Sequence, residues 1–174
     1  DQITELTNTI KEMAPLINSN TINNNQKFNI NVFLNEQCKD AINMSDFIKS
    51  LKVNLEELDV IKENGLADGI SKTIIDNMSK LSIYERPLHC TDIKRETLYI
   101  KENDNWTKDN NKEKIKEAIK KTSSKNYNAL QEWKESNPDY MNNEDKTDYF
   151  TKTISTIGKL DNNIDTKIIK NICK

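Results

Sequence analysis

The residues able to do chemistry concentrate in Arg86-Pro87-Leu88-His89-Cys90-Thr91-Asp92-Ile93-Lys94-Arg95-Glu96, a stretch holding the chain's only histidine and both of its arginines. A metal-dependent nuclease or hydrolase would need His89, Asp92 and Glu96 to converge on one cation. A single histidine cannot build a multi-histidine site, and no second ligand motif follows. If residues 88–92 are extended, Cys90 and Asp92 share one face while His89 points to the other. The same alternation separates Cys90 from His89 as a nucleophile–base pair. The ordinary role for His89 is then a hydrogen-bonded residue where a helix gives way to a sheet. No catalytic residue is assigned, and a hydrolase centred on His89, Asp92 and Glu96 stands as an alternative.

The second concentration is basic. Lys112, Lys114, Lys116, Lys120, Lys121 and Lys125 have only Glu113 and Glu117 among them. Such a run attracts phosphate, although a solvated helix face is its commoner meaning. With Arg86, Lys94 and Arg95 it makes the candidate surface for nucleic acid or a protein partner. The preceding hairpin, with Tyr99 and Trp106, sits like the wing of a helix–hairpin DNA-binding domain. Its acidic tip (Glu102, Asp104) and Asp109 oppose that role. Tyr127 and Trp133 could stack on bases; at helical spacing with Leu130 they read as core. Gly65, Gly69 and Gly158 form no phosphate-binding loop motif.

Composition narrows the classes further. Of 174 residues, 34% are hydrophobic and 31% charged, with a net charge of −2. The basic side chains are nearly all lysine, and bidentate reading of bases favours arginine. The two halves differ, −4 over residues 1–83 and +2 over 84–174, so a partner is sought in the second. Cys38, Cys90 and Cys173 are widely spaced, lack a CxxC pair, and suit three free thiols better than zinc. No metal or cofactor is expected. No run approaches the ~18 consecutive apolar residues of a membrane span, so no membrane partner is expected either.

Periodicity supplies the elements that would position these groups. Ile3, Leu6, Ile10, Met13 and Ile17 are spaced 3, 4, 3 and 4, the seam of a coiled coil. Two heptads are short for such a structure, and the chain opens on Asp1, so 1–17 reads as the end of a longer coiled coil that self-associates. An Asn-rich linker (18–26) follows, then one globular domain over 27–174 with subregions 27–83 and 84–174. Phe28, Ile30, Val32 and Leu34 alternate as a half-buried strand. Helices are expected where Ser45 and Asp46 cap Phe47, Ile48 and Leu51; over Leu55, Leu58 and Ile61; and from about 66 to 81, burying Ile70, Ile74, Ile75 and Met78. A short extended piece at 88–92 precedes a hairpin near 97–108. Two further helices carry Ile115, Ala118 and Ile119, then Tyr127, Leu130 and Trp133. Another runs from Glu144 to a glycine stop at Gly158, and a short one covers 166–174. The class is α+β and helix-dominated.

The run from Tyr84 to Lys101, with Trp106, Trp133-Lys134, Asn137-Pro138 and the upstream Asn31–Leu34 and Ala41–Ile48, resembles the C-terminal region of uncharacterised proteins of mimivirus-like giant DNA viruses. The resemblance covers about residues 28–140. It implies an architecture of N-terminal C2H2-type zinc finger, coiled coil and this domain, in a protein of the infected cytoplasm (the viral factory) or the virion. The finger has no counterpart here, so no zinc ligand is transferred, and the family supplies no activity. The leading expectation is a non-enzymatic viral adaptor, oligomerised through its N-terminal seam and contacting nucleic acid or a viral or host protein. A virion assembly protein is the other non-enzymatic alternative.

Overall fold

The computed structural model describes residues 28–159 and 163–174. The expected seam (Ile3, Leu6, Ile10, Met13, Ile17) and the linker 18–26 lie outside them. The fold is α+β with helix dominant, with seven helices and one small sheet among the described residues. The sheet is an antiparallel meander of β1 (Leu88–Asp92), β2 (Thr97–Glu102) and β3 (Asn105–Lys108), in the order β1-β2-β3. The expected hairpin at 97–108 is present. Its two turn residues, Asn103 and Asp104, have φ of 49° and 60°, the left-handed pair that matches the strands' twist in a two-residue loop.

The expected strand at 28–34 is overturned. Residues Ile30–Val32 form helix α1, which runs into a π-helical turn over Phe33–Gln37. Asn29 supplies the reason: its Oδ1 accepts from the backbone N–H of Asn31 (3.0 Å) and of Val32 (3.4 Å), capping a helix start. The alternating apolar residues share no buried face; Leu34 is buried while Phe28 and Val32 are exposed.

Helices α2 (Met44–Ser50), α3 (Leu55–Asn64) and α4 (Leu66–Ser79) follow. α3 begins with a capping box between Asn54 and Glu57. Gly65, at φ 99°, turns the chain directly into α4, and α4 then crosses α3 so closely that Gly69 lies against Ile61. Leu58, Ile61, Ile70 and Ile74 are buried there. Leu55 and Ile75, expected inward, are exposed. The cap of α2 also differs: Asn43 is the N-cap residue, and Ser45 donates its backbone N–H to Glu102 Oε2 at 3.0 Å.

Two helices were expected over 112–136, and one continuous helix, α5 (Glu113–Ser136), is found. Ser123-Ser124 does not break it, because Ser124 Oγ donates back to the Lys120 carbonyl within the helix. The buried Asp109 caps its start, accepting from the N–H groups of Lys114 (3.3 Å) and Ile115 (2.9 Å). Tyr127 is 45% exposed rather than core; it lies off the buried stripe of Ile115, Ala118, Ile119, Thr122, Asn126 and Leu130. Trp133 does pack inward, its ring 4.8 Å from that of Tyr149 on α6 (Glu144–Ile157). The stop at Gly158 is ordinary right-handed backbone (φ −74°) and not a left-handed glycine cap. The last helix, α7 (Ile164–Ile172), docks on α4 through Lys167 to Asp68 (2.9 Å) and Asn171 to Ser71 (3.2 Å).

One contiguous core runs from Met44 to Cys173, joining Leu88, Leu98 and Ile100 of the sheet to all of the longer helices. On the other face of the sheet, the segment before α2 covers Lys101 and Trp106, whose indole N–H donates to the Cys38 carbonyl (3.2 Å). No described helix is long and apolar enough to cross a membrane.

Candidate functional site

The three candidate hydrolytic residues occupy three separate settings. His89 packs between the rings of Phe33 (5.3 Å) and Trp106 (5.4 Å). Asp92 accepts the Arg95 backbone N–H at 3.0 Å and pairs with its guanidinium at 3.7 Å. Glu96 sits in a left-handed turn (φ 50°), where its carbonyl accepts from the Lys112 ammonium. Among the described residues no group of three or more His, Cys, Asp or Glu is placed to hold a metal ion.

His89 has a partner that spacing did not suggest. Its Nε2 lies 3.7 Å from Cys38 Sγ, 51 positions away in the chain. A cysteine–histidine nucleophile works as thiolate and imidazolium. Here burial pushes the Cys38 thiol above its ordinary value, with the Lys101 ammonium acting in the opposite direction. Burial, and then the Arg86 charge, push His89 below its ordinary value. Both shifts favour the neutral pair, and Cys38 is 0% exposed. The contact is a thiol–imidazole hydrogen-bond contact in a covered site.

The basic candidates also separate. Arg86 is a helix stop: its Nε donates to the carbonyls of Met78 (3.1 Å) and Leu81 (3.4 Å) at the end of α4. Lys94 and Arg95 are exposed on the β1–β2 turn. At about 100° per residue, Lys114, Lys121 and Lys125 fall within about 40° of one another on α5, while Lys116 and Lys120 lie on its opposite flank. The first three face α2. Between α2, α5 and the end of β2 runs a groove of two adjoining cavities that share Ser45, Ile48 and Lys121.

The cavity toward the sheet, about 250 Å³, is lined by Met44, Ile100, Ala118 and Lys114, but also by Glu102 and Glu117. The outer one, about 390 Å³, is lined by Ser45, Ile48, Lys49, Lys121, Ser124, Lys125 and Asn128. Three ammonium groups, two hydroxyls and an amide therefore surround an apolar floor at Ile48, and no carboxylate is among the described residues that line this part. Lys49 was not among the candidate residues, because it lies 63 positions before Lys112 on a different element.

No family model, curated protein or solved structure matches this chain. The groove must therefore be understood from its own construction. The hairpin holds one wall by three consecutive links. Lys101 donates to the carbonyls of Lys39 (2.6 Å) and Ala41 (2.7 Å). Glu102 takes the Ser45 N–H. Asp104 exchanges two hydrogen bonds with the Asn43 side chain, at 3.0 and 2.8 Å. The hairpin tip, expected to sit like a wing, is thus docked on the start of α2. At the other end of α2, Lys125 Nζ donates to the Lys49 carbonyl at 2.9 Å.

Among the described residues, Lys121 and Lys49 are tied only to exposed carboxylates, Glu117 (2.7 Å) and Asp46 (3.3 Å). Exposed pairs of this kind contribute roughly 0–1 kcal/mol each, so a phosphate can take either ammonium at small cost. Lysine ammoniums act as point charges without the bidentate geometry of arginine. The arrangement suits anionic groups, and none of the described lining residues is an arginine.

Proposed function

We propose that this chain is a non-enzymatic binding domain that contacts the phosphates of nucleic acid through the α2–α5 groove. The observation that carries the proposal is the carboxylate-free lining by Lys49, Lys121 and Lys125, held at both ends of α2 by the hairpin and by Lys125 itself. The lysine ammoniums act as point charges without arginine's bidentate geometry, so binding is mainly electrostatic, with little dependence on sequence, and modest in strength. Presentation of several copies through the Ile3, Leu6, Ile10, Met13 and Ile17 seam would raise a weak single-site affinity by avidity.

Fluorescence anisotropy with a labelled single-stranded oligonucleotide at 50 and 200 mM salt tests the nucleic-acid reading. Binding that weakens with salt is expected; no binding at the lower salt would remove it. Sedimentation of the full chain beside Leu6→Asp/Ile10→Asp tests self-association: the variant is expected to sediment as a smaller species, and equal sedimentation would remove the seam. On the resemblance to giant-virus proteins, the compartment is the infected cytoplasm or the virion. Mass spectrometry of purified particles distinguishes the two.

A further inference from the structure

A third cavity, about 420 Å³, continues the groove along α5 and shares Lys125 and Asn128 with the outer one. Its apolar side chains are Leu51 and Val53, from the loop that joins α2 to α3, and Ala129 of α5. Lys121, Lys125, Asn128 and Glu132 are spaced 4, 3 and 4 along α5, so they form one stripe facing the two cavities. Ammonium gives way to amide and then to carboxylate along that stripe, and Glu132 lies about 10 Å beyond Lys125. Asn128 and Glu132 are exposed, and neither side chain has a hydrogen-bond or ion-pair partner among the described residues. The loop wall is held in place. The Asn77 side chain donates to the Lys52 carbonyl (3.2 Å), and the Asn54 N–H donates to Glu57 Oε2 (2.7 Å).

We propose that this third cavity takes one nucleobase of a single strand whose phosphate lies on Lys49, Lys121 and Lys125. The inference rests on the phosphate reading of the groove and adds one base contact to it. In a nucleotide, an anionic phosphate is joined through a sugar to a flat ring with two apolar faces and a polar edge. The groove presents the complementary order: ammoniums, then apolar walls, then an amide and a carboxylate. The ring packs between the Leu51–Val53 loop and Ala129, where its apolar faces leave water. The Asn128 amide both donates and accepts, so it suits the edge of any base. The Glu132 carboxylate only accepts. It therefore favours cytosine, adenine or guanine, which carry an exocyclic amine, over thymine. A base still paired and stacked in a duplex cannot enter.

The test is fluorescence anisotropy of the full chain at low salt with labelled strands of equal length: oligodeoxycytidine, oligothymidine, and a strand in which abasic sites replace every base. The abasic strand keeps every phosphate. Oligodeoxycytidine is expected to bind about tenfold more tightly than the abasic strand, with oligothymidine between them. Asn128→Ala/Glu132→Ala, first shown by thermal unfolding to be folded, should bind oligodeoxycytidine and oligothymidine equally. Equal, salt-dependent binding of oligodeoxycytidine and the abasic strand by the parent would overturn the base cavity and leave the phosphate reading standing. A variant that still prefers oligodeoxycytidine to oligothymidine as strongly as the parent would also overturn it. No binding of any strand would remove the phosphate reading and the base cavity together.

Discussion

Replacing Lys101 by methionine separates the ammonium's contribution from that of its stem. Lys101 is 4% exposed, and its Nζ donates to the carbonyls of Lys39 and Ala41. Hydrogen bonds to a charged group contribute about 1.5–3 kcal/mol each, so the two would give about 3–6 kcal/mol taken alone. Removing the ammonium also removes its own desolvation cost, which brings the expected net loss to about 2–4 kcal/mol. For a chain of this size that is a fall of about 5–15 °C in the unfolding midpoint. The loss is local in origin, because the two carbonyls belong to the segment leading into α2. Hydrogen exchange in α2 should rise more than in α3 or α4. Urea unfolding and exchange of Lys101→Met beside the parent chain measure both effects. Stability within about 0.5 kcal/mol of the parent, with α2 exchange unchanged, would refute the reasoning that the hairpin holds the groove wall.

Other perturbations have equally definite expectations. Gly69→Ala should destabilise although alanine is the better helix former by about 1 kcal/mol, because the new Cβ would lie 2.1 Å from Ile61 Cγ1. Overpacking costs about 1–3 kcal/mol, and in an Ile61→Ala background the same change should become neutral or favourable by urea unfolding. Asp109→Ala should cost about 1–2 kcal/mol by removing the cap of α5, read as a lower urea midpoint. His89 is held below its ordinary value of 6.5, chiefly by burial and then by Arg86. The unfolded chain therefore takes up this proton first as pH falls, so His89's share of stability is complete above pH 6.5 and is lost as the pH drops through its depressed folded value. Stability measured from pH 7.5 to 5 should fall less steeply in His89→Gln than in the parent.

Much of the fold was legible from periodicity, and the failures have local causes. The hairpin was recognisable because Asn103-Asp104 between β-rich runs tolerates two left-handed residues. The segment 28–34 misled because alternation was judged without its cap: Asn29 captures two backbone N–H groups and starts a helix. Tyr127 misled because it is three residues from the buried Leu130, yet falls off the buried stripe of α5 and is exposed. The lysine run was visible as a run, but not its division into two flanks. The division follows from one continuous helix where two were expected, and which flank lines a groove depends on α2, placed by Lys101, Glu102 and Asp104 contacts about 60 residues apart in the chain. Arg86 looked like part of a partner surface because charge alone does not show that the carbonyls of Met78 and Leu81 already occupy it.

The groove itself is tested most directly by comparing the two flanks of α5. Single-stranded oligonucleotide binding should be measured over 50–200 mM salt for the parent, for Lys49→Ala/Lys121→Ala/Lys125→Ala, and for Lys116→Ala/Lys120→Ala. Thermal unfolding should first establish that each is folded. Three phosphate contacts on a single strand correspond to a slope of about −2 in log affinity against log salt, a loss of about 20-fold over that range for the parent. The triple variant should lose most of that slope, and the pair on the opposite flank should retain it. Equal losses in the two variants, or a triple variant that binds like the parent, would contradict a phosphate-binding groove between α2 and α5.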